Sequence, residues 1–170
     1  MSTPFRRLAL RPFLPSDTPL LAAIFAASIE QLTADDYDPG QQAAWAAAAD
    51  DEDAFDKRLA GQLTLVATMD GDPVAFASLR GNDHIDMLYV HPAVARRGVA
   101  SSLVDALEKL ARGRGIAKLT VDASDTAKPF FDKRGYAAQQ RNAVAVGNEW
   151  LGNVSMQKQL PPVQPEGNVQ

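Results

Sequence analysis

The chain has 170 residues, a formal net charge of −4 at pH 7 and no cysteine. Its length suits one domain with a full core, and the missing thiols exclude disulfides, thiolate metal sites and acyl-cysteine intermediates. No apolar run approaches the roughly 20 residues of a membrane span, Arg11, Pro12 and Pro15 break up a would-be signal peptide, and the mild acidity argues against a nucleic-acid surface. A cytoplasmic protein without membrane or nucleic-acid partners is therefore expected.

In chain order, Phe5 to Leu10 reads as a short strand, and Ser16 or Asp17 caps a helix running to about Thr33. The Ala- and acid-rich residues 39–60 predict one or two further helices. Strands follow at Leu63 to Thr68 and Val74 to Leu79, joined by the hairpin turn signal Asp70-Gly71-Asp72-Pro73, and then at Ile85 to Val90. Ala100, Leu103, Val104, Leu107, Leu110 and Ala111 recur at helical spacing, with Gly113 and Gly115 as the stop. Ala117 to Val121 predicts a strand, Lys128 to Lys133 a short helix closed by Gly135, and 136–146 and 149–158 the last two strands. Residues 1–160 form one domain, and 161–170, with three prolines and no periodicity, a flexible tail.

Charge is divided along the chain. Residues 1–60 carry five basic and ten acidic side chains, a net −5, whereas residues 91–141 carry ten basic and five acidic ones, a net +5. A polyanionic ligand would be drawn to the second block and a cationic one to the first. Two solvated faces would give the same pattern.

The most informative stretch is Leu88-Tyr89-Val90-His91-Pro92, continuing through Arg96-Arg97-Gly98-Val99-Ala100-Ser101. A strand breaks at proline, passes two arginines and a glycine, and enters an amphipathic helix. The unpaired N–H groups and partial positive charge of a helix start make this an anion cradle. Gly98 allows close backbone approach, and Ala100 allows tight packing. An ordinary strand–loop–helix joint would look similar. The dinucleotide fingerprint lacks its glycines here, and the nucleotide-triphosphate loop lacks its Gly-Lys-Ser/Thr ending.

These residues resemble the GNAT superfamily of acyl-CoA-dependent N-acetyltransferases, whose motif is Gln/Arg-x-x-Gly-x-Gly/Ala. Gly98 and Ala100 match its last two positions, and Ala95 replaces the first. Ser124 through Tyr136 is similar to the family's Asn-x-x-Ala-x-x-Phe-Tyr-x-x-x-Gly-Phe segment, in the right order and separation. The resemblance spans about Arg6 to Leu160. Within the superfamily, Ala127 to Phe131, Asn142, Trp150 to Asn153 and Tyr37 to Ala46 resemble the YafP-like group of bacterial acetyltransferases.

The resemblance implies an α+β fold: a mixed, mostly antiparallel twisted sheet of about seven strands, flanked by helices and splayed between strands four and five. It implies transfer of an acetyl group from acetyl-CoA to a primary amine of a small molecule or peptide, with no covalent enzyme intermediate and no metal. A possible homodimer goes with the family. Leu88, Tyr89 and Val90 would border the pantetheine arm, and an N–H near Val90 would polarise the thioester carbonyl. Ala95, Arg96, Arg97, Gly98, Val99, Ala100 and Ser101 would hold the pyrophosphate. Ser124 stands where the family has a cofactor-contacting Asn, and Phe131 where it often has a proton-donating Tyr. Phe131 cannot donate, so protonation of the thiolate would fall to solvent, Tyr136 or Tyr89.

For the base, strand alternation puts His84, Asp86, Leu88 and Val90 on one side, short of any bulge. His84 falls near the family's fourth-strand glutamate and can accept a proton, whereas a solvent-facing turn residue is the plain alternative. Asp86 can orient that histidine, act as base itself, or attract a cationic acceptor; His91 reads as a turn residue. Tyr37, Gln41 and Trp45 share one helical face if the helix reaches back to Tyr37. Tyr37, Trp45 and Asn142 are the candidate acceptor contacts, with core packing as the alternative for Trp45. Two other readings compete with the enzyme: a catalytically weak acyl-CoA-binding or regulatory module, and a nucleotide-binding protein of another type.

Overall fold

The computed structural model describes residues 7–163. Strands β1 (Leu8–Pro12), β2 (Leu63–Met69), β3 (Asp72–Arg80), β4 (His84–Val90), β5 (Lys118–Ser124), β6 (Ala137–Val146) and β7 (Glu149–Gln159) form one sheet of order β1-β2-β3-β4-β5-β7-β6. Every neighbouring pair is antiparallel except β4 and β5. A parallel neighbour needs a long crossover, and here it contains α4 (Val99–Gly113). The other helices are α1 (Thr18–Leu32), α2 (Pro39–Ala46), α3 (Glu52–Ala60) and α5 (Lys128–Lys133). This is the α+β arrangement expected, including the seven strands.

Local chemistry explains most boundaries. Asp70 and Gly71, at φ 53° and 89°, make the two-residue turn between β2 and β3, where the strand twist favours paired left-handed residues. Asp38 accepts from the Gln41 amide at 2.8 Å while Gln41 Oε1 accepts from the Asp38 amide at 2.9 Å, a reciprocal cap that starts α2 at Pro39. Tyr37 therefore precedes the helix, and its expected shared face with Gln41 does not form.

Several other expectations are corrected. Asp17 holds the N-cap position of α1 without capping it; its carboxylate instead accepts from Leu14 N and from both Arg11 terminal nitrogens. The first strand begins at Leu8, and Phe5 lies outside the described residues. Strand β5 runs on to Ser124, three residues past the expected end, because apolar Leu119, Val121 and Ala123 keep alternating with polar Thr120, Asp122 and Ser124. Leu110 is exposed whereas Glu108 is buried between Lys158 Nζ at 2.6 Å and Arg134 at 3.0 Å. Pro161 accepts from Arg112 Nε at 2.9 Å, so the expected tail begins anchored to α4; residues 164–170 lie outside the described chain.

The sheet separates two apolar cores. One face packs Leu79, Ile85, Val121 and Ala123 against Leu103, Val104 and Leu107 of α4. The other packs Val66, Phe76 and Met87 against Leu21 and Phe25 of α1 and Phe55 and Leu59 of α3. Each fully buried side chain of this size contributes about 1.5–3 kcal/mol, enough to fix both helical layers. Among the described residues no helix is long and apolar enough to cross a membrane.

Candidate functional site

Strands β4 and β5 pair only at His84↔Thr120 and Ile85↔Val121. Beyond that vertex they diverge, leaving Asp86 to Val90 and Asp122 to Ser124 as the two arms of a V. The arms open into a cavity of about 650 Å³ that runs from the start of α4 to α1, α2 and the β6–β7 hairpin. Backbone groups on the inner edge of β4 thus face a gap instead of a neighbouring strand, and an extended chain could pair with them.

At one end of the gap the turn of Pro92–Val94 leads to Arg96 at φ 63° and Gly98 at φ 81°. Left-handed residues beside a helix start are a setting in which backbone amides can converge on an anion. The first-turn amides of α4, from Val99 to Ser101, have no intrahelical acceptor by helix geometry. A Cβ built on Gly98 would meet nothing within 4 Å, so its glycine serves conformation and open approach. Leu88, Tyr89, Val90, Ala95, Arg96, Gly98, Val99, Ala100 and Ser101 all line the cavity. Arg97 is exposed and does not. His91 is a turn residue, accepting from Ala93 N at 3.1 Å.

Ser124 and Phe131 line the cavity. Ser124 Oγ accepts from Ala127 N at 3.0 Å, which leaves its proton free for a further acceptor. Phe131 is buried against Phe130 and Tyr136, with ring centroids 5.1 and 5.0 Å away. Tyr136 turns its hydroxyl to Glu108, 3.4 Å away on the α4 side, and is not part of the cavity wall. Burial and the Glu108 charge push its phenol well up.

On β4 a bulge decides which side chains meet. Ser78 pairs with Met87 and Leu79 with Ile85, so Asp86 is the extra residue. Ile85, Leu88 and Val90 pack on the α4 side, whereas Met87 and Tyr89 pack towards α1. The expected single face for His84, Asp86, Leu88 and Val90 is therefore broken, as a one-residue insertion must do.

Asp86 lines the cavity but is saturated by its own protein. Its Oδ2 accepts from Arg58 Nε at 2.9 Å and Gln62 Nε2 at 2.8 Å, and Arg80 lies 3.4 Å from Oδ1. Burial pushes this carboxyl up, yet the Arg58 and Gln62 hydrogen bonds and the Arg58 and Arg80 charges outweigh it, leaving it below the ordinary carboxylate value. Asp86 does not orient His84. His84 Nδ1 is 2.7 Å from Thr120 Oγ1, and its Nε2 is 3.7 Å from Asp122 Oδ2. His84 is not itself in the cavity wall; Asp122 is.

Tyr37 and Trp45 line the cavity. Tyr37 Oη donates to Gly152 O at 2.6 Å and accepts from Asp125 N at 2.9 Å, tying the α1–α2 connection to β5 and β7. Trp45 packs edge-on to Tyr37 and donates to Tyr89 Oη at 3.1 Å. Burial pushes the Tyr89 phenol up to about 12, against the opposing Trp45 hydrogen bond. Asn142 does not line the cavity; it donates to Asn153 Oδ1 at 2.9 Å and Ser155 Oγ at 2.8 Å. Asp122 and Asn153, neither of them among the candidate site residues read from the sequence, are wall residues. The polar–apolar alternation of Lys118–Ser124 is the signal that places Asp122 on a strand.

Comparison with known proteins agrees with this geometry. The family model described as an acetyltransferase (GNAT) domain matches residues 33–160. The chain is 38% identical over 149 residues to the uncharacterized N-acetyltransferase YafP of Escherichia coli K12, covering 88% of this chain and 94% of that one. A crystal structure described as a GCN5-related N-acetyltransferase, "Aminotransferase, Class-II", from Rhodopseudomonas palustris is 64% identical. It superposes with a TM-score of 0.88 over 94% of this chain and 98% of that chain. The PaiA N-acetyltransferase of Thermoplasma acidophilum, solved in complex with coenzyme A, shares the fold at a TM-score of 0.76 and 16% identity, covering 90% of this chain and 99% of that one.

Proposed function

Because the chain belongs to the GNAT acetyltransferase family, we propose that it transfers an acetyl group from acetyl-CoA directly to a primary amine of a small molecule or peptide. The observation that carries this reading is the splayed β4–β5 gap ending on the left-handed Arg96–Gly98 turn and the start of α4. In this reading the open edge of β4 between Leu88 and Val90 pairs with the pantetheine arm. The amides of Val99 to Ser101, with Arg96 beside them, take the pyrophosphate. A β4 amide near Val90 stabilises the oxyanion that forms when the amine attacks.

The amine must lose a proton before it attacks. His84 is the base in this proposal, reached through the cavity wall at Asp122, because a neutral imidazole nitrogen can accept a proton. Asp86, held as a carboxylate by Arg58 and Gln62, is a fixed counter-charge that positions the vertex. The leaving thiolate takes its proton from solvent or from Tyr89, whose Oη accepts from Trp45 and keeps its own proton to give.

A second reading has support of its own. Phe131 offers no acid and Tyr136 faces away from the cavity, which suits a weakly catalytic acyl-CoA-binding module. Calorimetry with CoA, followed by thiol release from acetyl-CoA over a panel of amines, separates the two. CoA binding with amine-dependent thiol release supports the enzyme; tight binding without release supports the module. No heat with CoA or acetyl-CoA would overturn both.

A further inference from the structure

Asp122 is the first β5 residue beyond the vertex, and its side chain is about half exposed in the cavity. Its surroundings differ from those of Asp86. Among the described residues no lysine or arginine pairs with Asp122. Its Oδ1 accepts from Ser155 Oγ at 2.8 Å, and Ser155 Oγ in turn accepts from Asn142 Nδ2 at 2.8 Å. Its Oδ2 faces His84 Nε2 at 3.7 Å, too far for a direct hydrogen bond.

Two tautomers of His84 fit its hydrogen bonds, and the one protonated on Nδ1 can act as a base at Nε2. In that tautomer His84 Nδ1 donates to Thr120 Oγ1 at 2.7 Å. The threonine proton then turns to Asp83 O, 3.4 Å away. Nε2 is left with a lone pair, pointing towards a carboxylate oxygen. Two acceptors face one another and a donor is missing between them. An ammonium N–H from the cavity side is the group that satisfies both.

Away from this pair the cavity has apolar wall residues, among them Leu32 from α1, Trp45 from α2, Val144 from β6 and Leu151 from β7. Among the described lining residues Arg96 is the only lysine or arginine, and it lies at the α4 end. An acceptor with a carboxylate beside its nitrogen would meet Asp122 with no compensating charge.

Resting on the acyl-transfer reading, we propose that Asp122 receives the ammonium group of the acceptor, that His84 takes its proton, and that the acceptor class is a primary amine with an apolar body and no carboxylate next to nitrogen. An N–H bond of the ammonium breaks and its proton passes to His84 Nε2, where Asp122 balances the new imidazolium. The freed electron pair forms the C–N bond, and the C–S bond breaks as sulfur takes its electrons. The second nitrogen proton leaves with the thiol.

The test is calorimetry on the CoA complex with n-hexylamine, 1-hexanol and norleucine, repeated in Asp122→Asn and in Asp50→Asn, which removes an exposed carboxylate elsewhere. Hexylamine should bind at least about tenfold more tightly than the other two, a preference lost in Asp122→Asn and kept in Asp50→Asn. In turnover, Asp122→Asn should mainly raise KM for hexylamine, whereas His84→Gln should mainly lower kcat. A hexylamine preference that is absent, or that survives in Asp122→Asn, overturns the proposal while CoA binding leaves the acyl-transfer reading standing. Failure of CoA itself to bind removes that reading, and this proposal with it.

Discussion

Asp86 and Asp122 occupy corresponding positions on adjacent parallel strands, each the first residue past the last β4–β5 pair, Ile85↔Val121. Their chemistry is opposite. Asp86 is neutralised by Arg58 and Arg80, whereas Asp122 meets a serine hydroxyl and an imidazole. The vertex of the sheet therefore carries one carboxylate held by arginines and one held by a serine hydroxyl, both in the cavity wall.

Asp86→Asn should cost stability in a pH-dependent way. The folded carboxyl lies below its ordinary value, so its stabilisation is complete above the unfolded carboxylate pKa of about 4 and fades as pH falls through the folded value. Thermal melts should show a clear loss for Asp86→Asn at pH 7, about 1–3 kcal/mol given that Arg58 is partly exposed, and a smaller loss at pH 3. An equal loss at both pH values would show that the ion pair does not contribute as described.

Gly98→Glu should remove CoA binding while the fold persists. The φ of 81° strains any other residue by about 1–2 kcal/mol, and the open surroundings leave room for the side chain. A carboxylate at this position repels a diphosphate, so calorimetry should show a loss of about a hundredfold or more. Gly98→Ala carries the strain without the charge and should retain most of the affinity. Equal loss in both variants would point to backbone geometry alone.

Tyr37→Phe should loosen the wall of the cavity. The lost hydroxyl leaves Gly152 O and Asp125 N without that partner in a part-buried setting, at a cost of about 1–3 kcal/mol. Urea unfolding at neutral pH measures it. A change under about 0.5 kcal/mol would mean that water replaces the phenol at no cost.

The three tyrosines should stay neutral far into alkaline solution. All are shifted upward with burial as the main cause, Tyr89 to about 12. The unfolded chain deprotonates near 10 while the folded one does not, so stability falls as pH rises from that point towards the folded values. Phenolate absorbance at 295 nm should stay low through pH 10.5 and then appear together with the loss of far-ultraviolet ellipticity. A separate tyrosine titration near pH 10 in folded protein would contradict this.

The chain's own periodicities and turn residues determined the elements: the apolar stripe of α4, the Asp70-Gly71 turn and the glycine at the α4 start are all readable locally, because each reports the dihedral preferences of a few neighbouring residues. The α4 start proposed to cradle an anion belongs to this class, since its sequence signal and its geometry are the same stretch of chain. What only the tertiary structure decided is which side chains meet. The bulge at Asp86 reverses the faces of β4 after that point, β7 inserts between β5 and β6, and Arg58 and Gln62 reach Asp86 from α3 and the turn after it. Those outcomes depend on register and on contacts distant in sequence, where a slip of one residue exchanges core for cavity. Asp122 and His84 lie 38 positions apart, and the parallel pairing of two strands joined through α4 brings them to 3.7 Å.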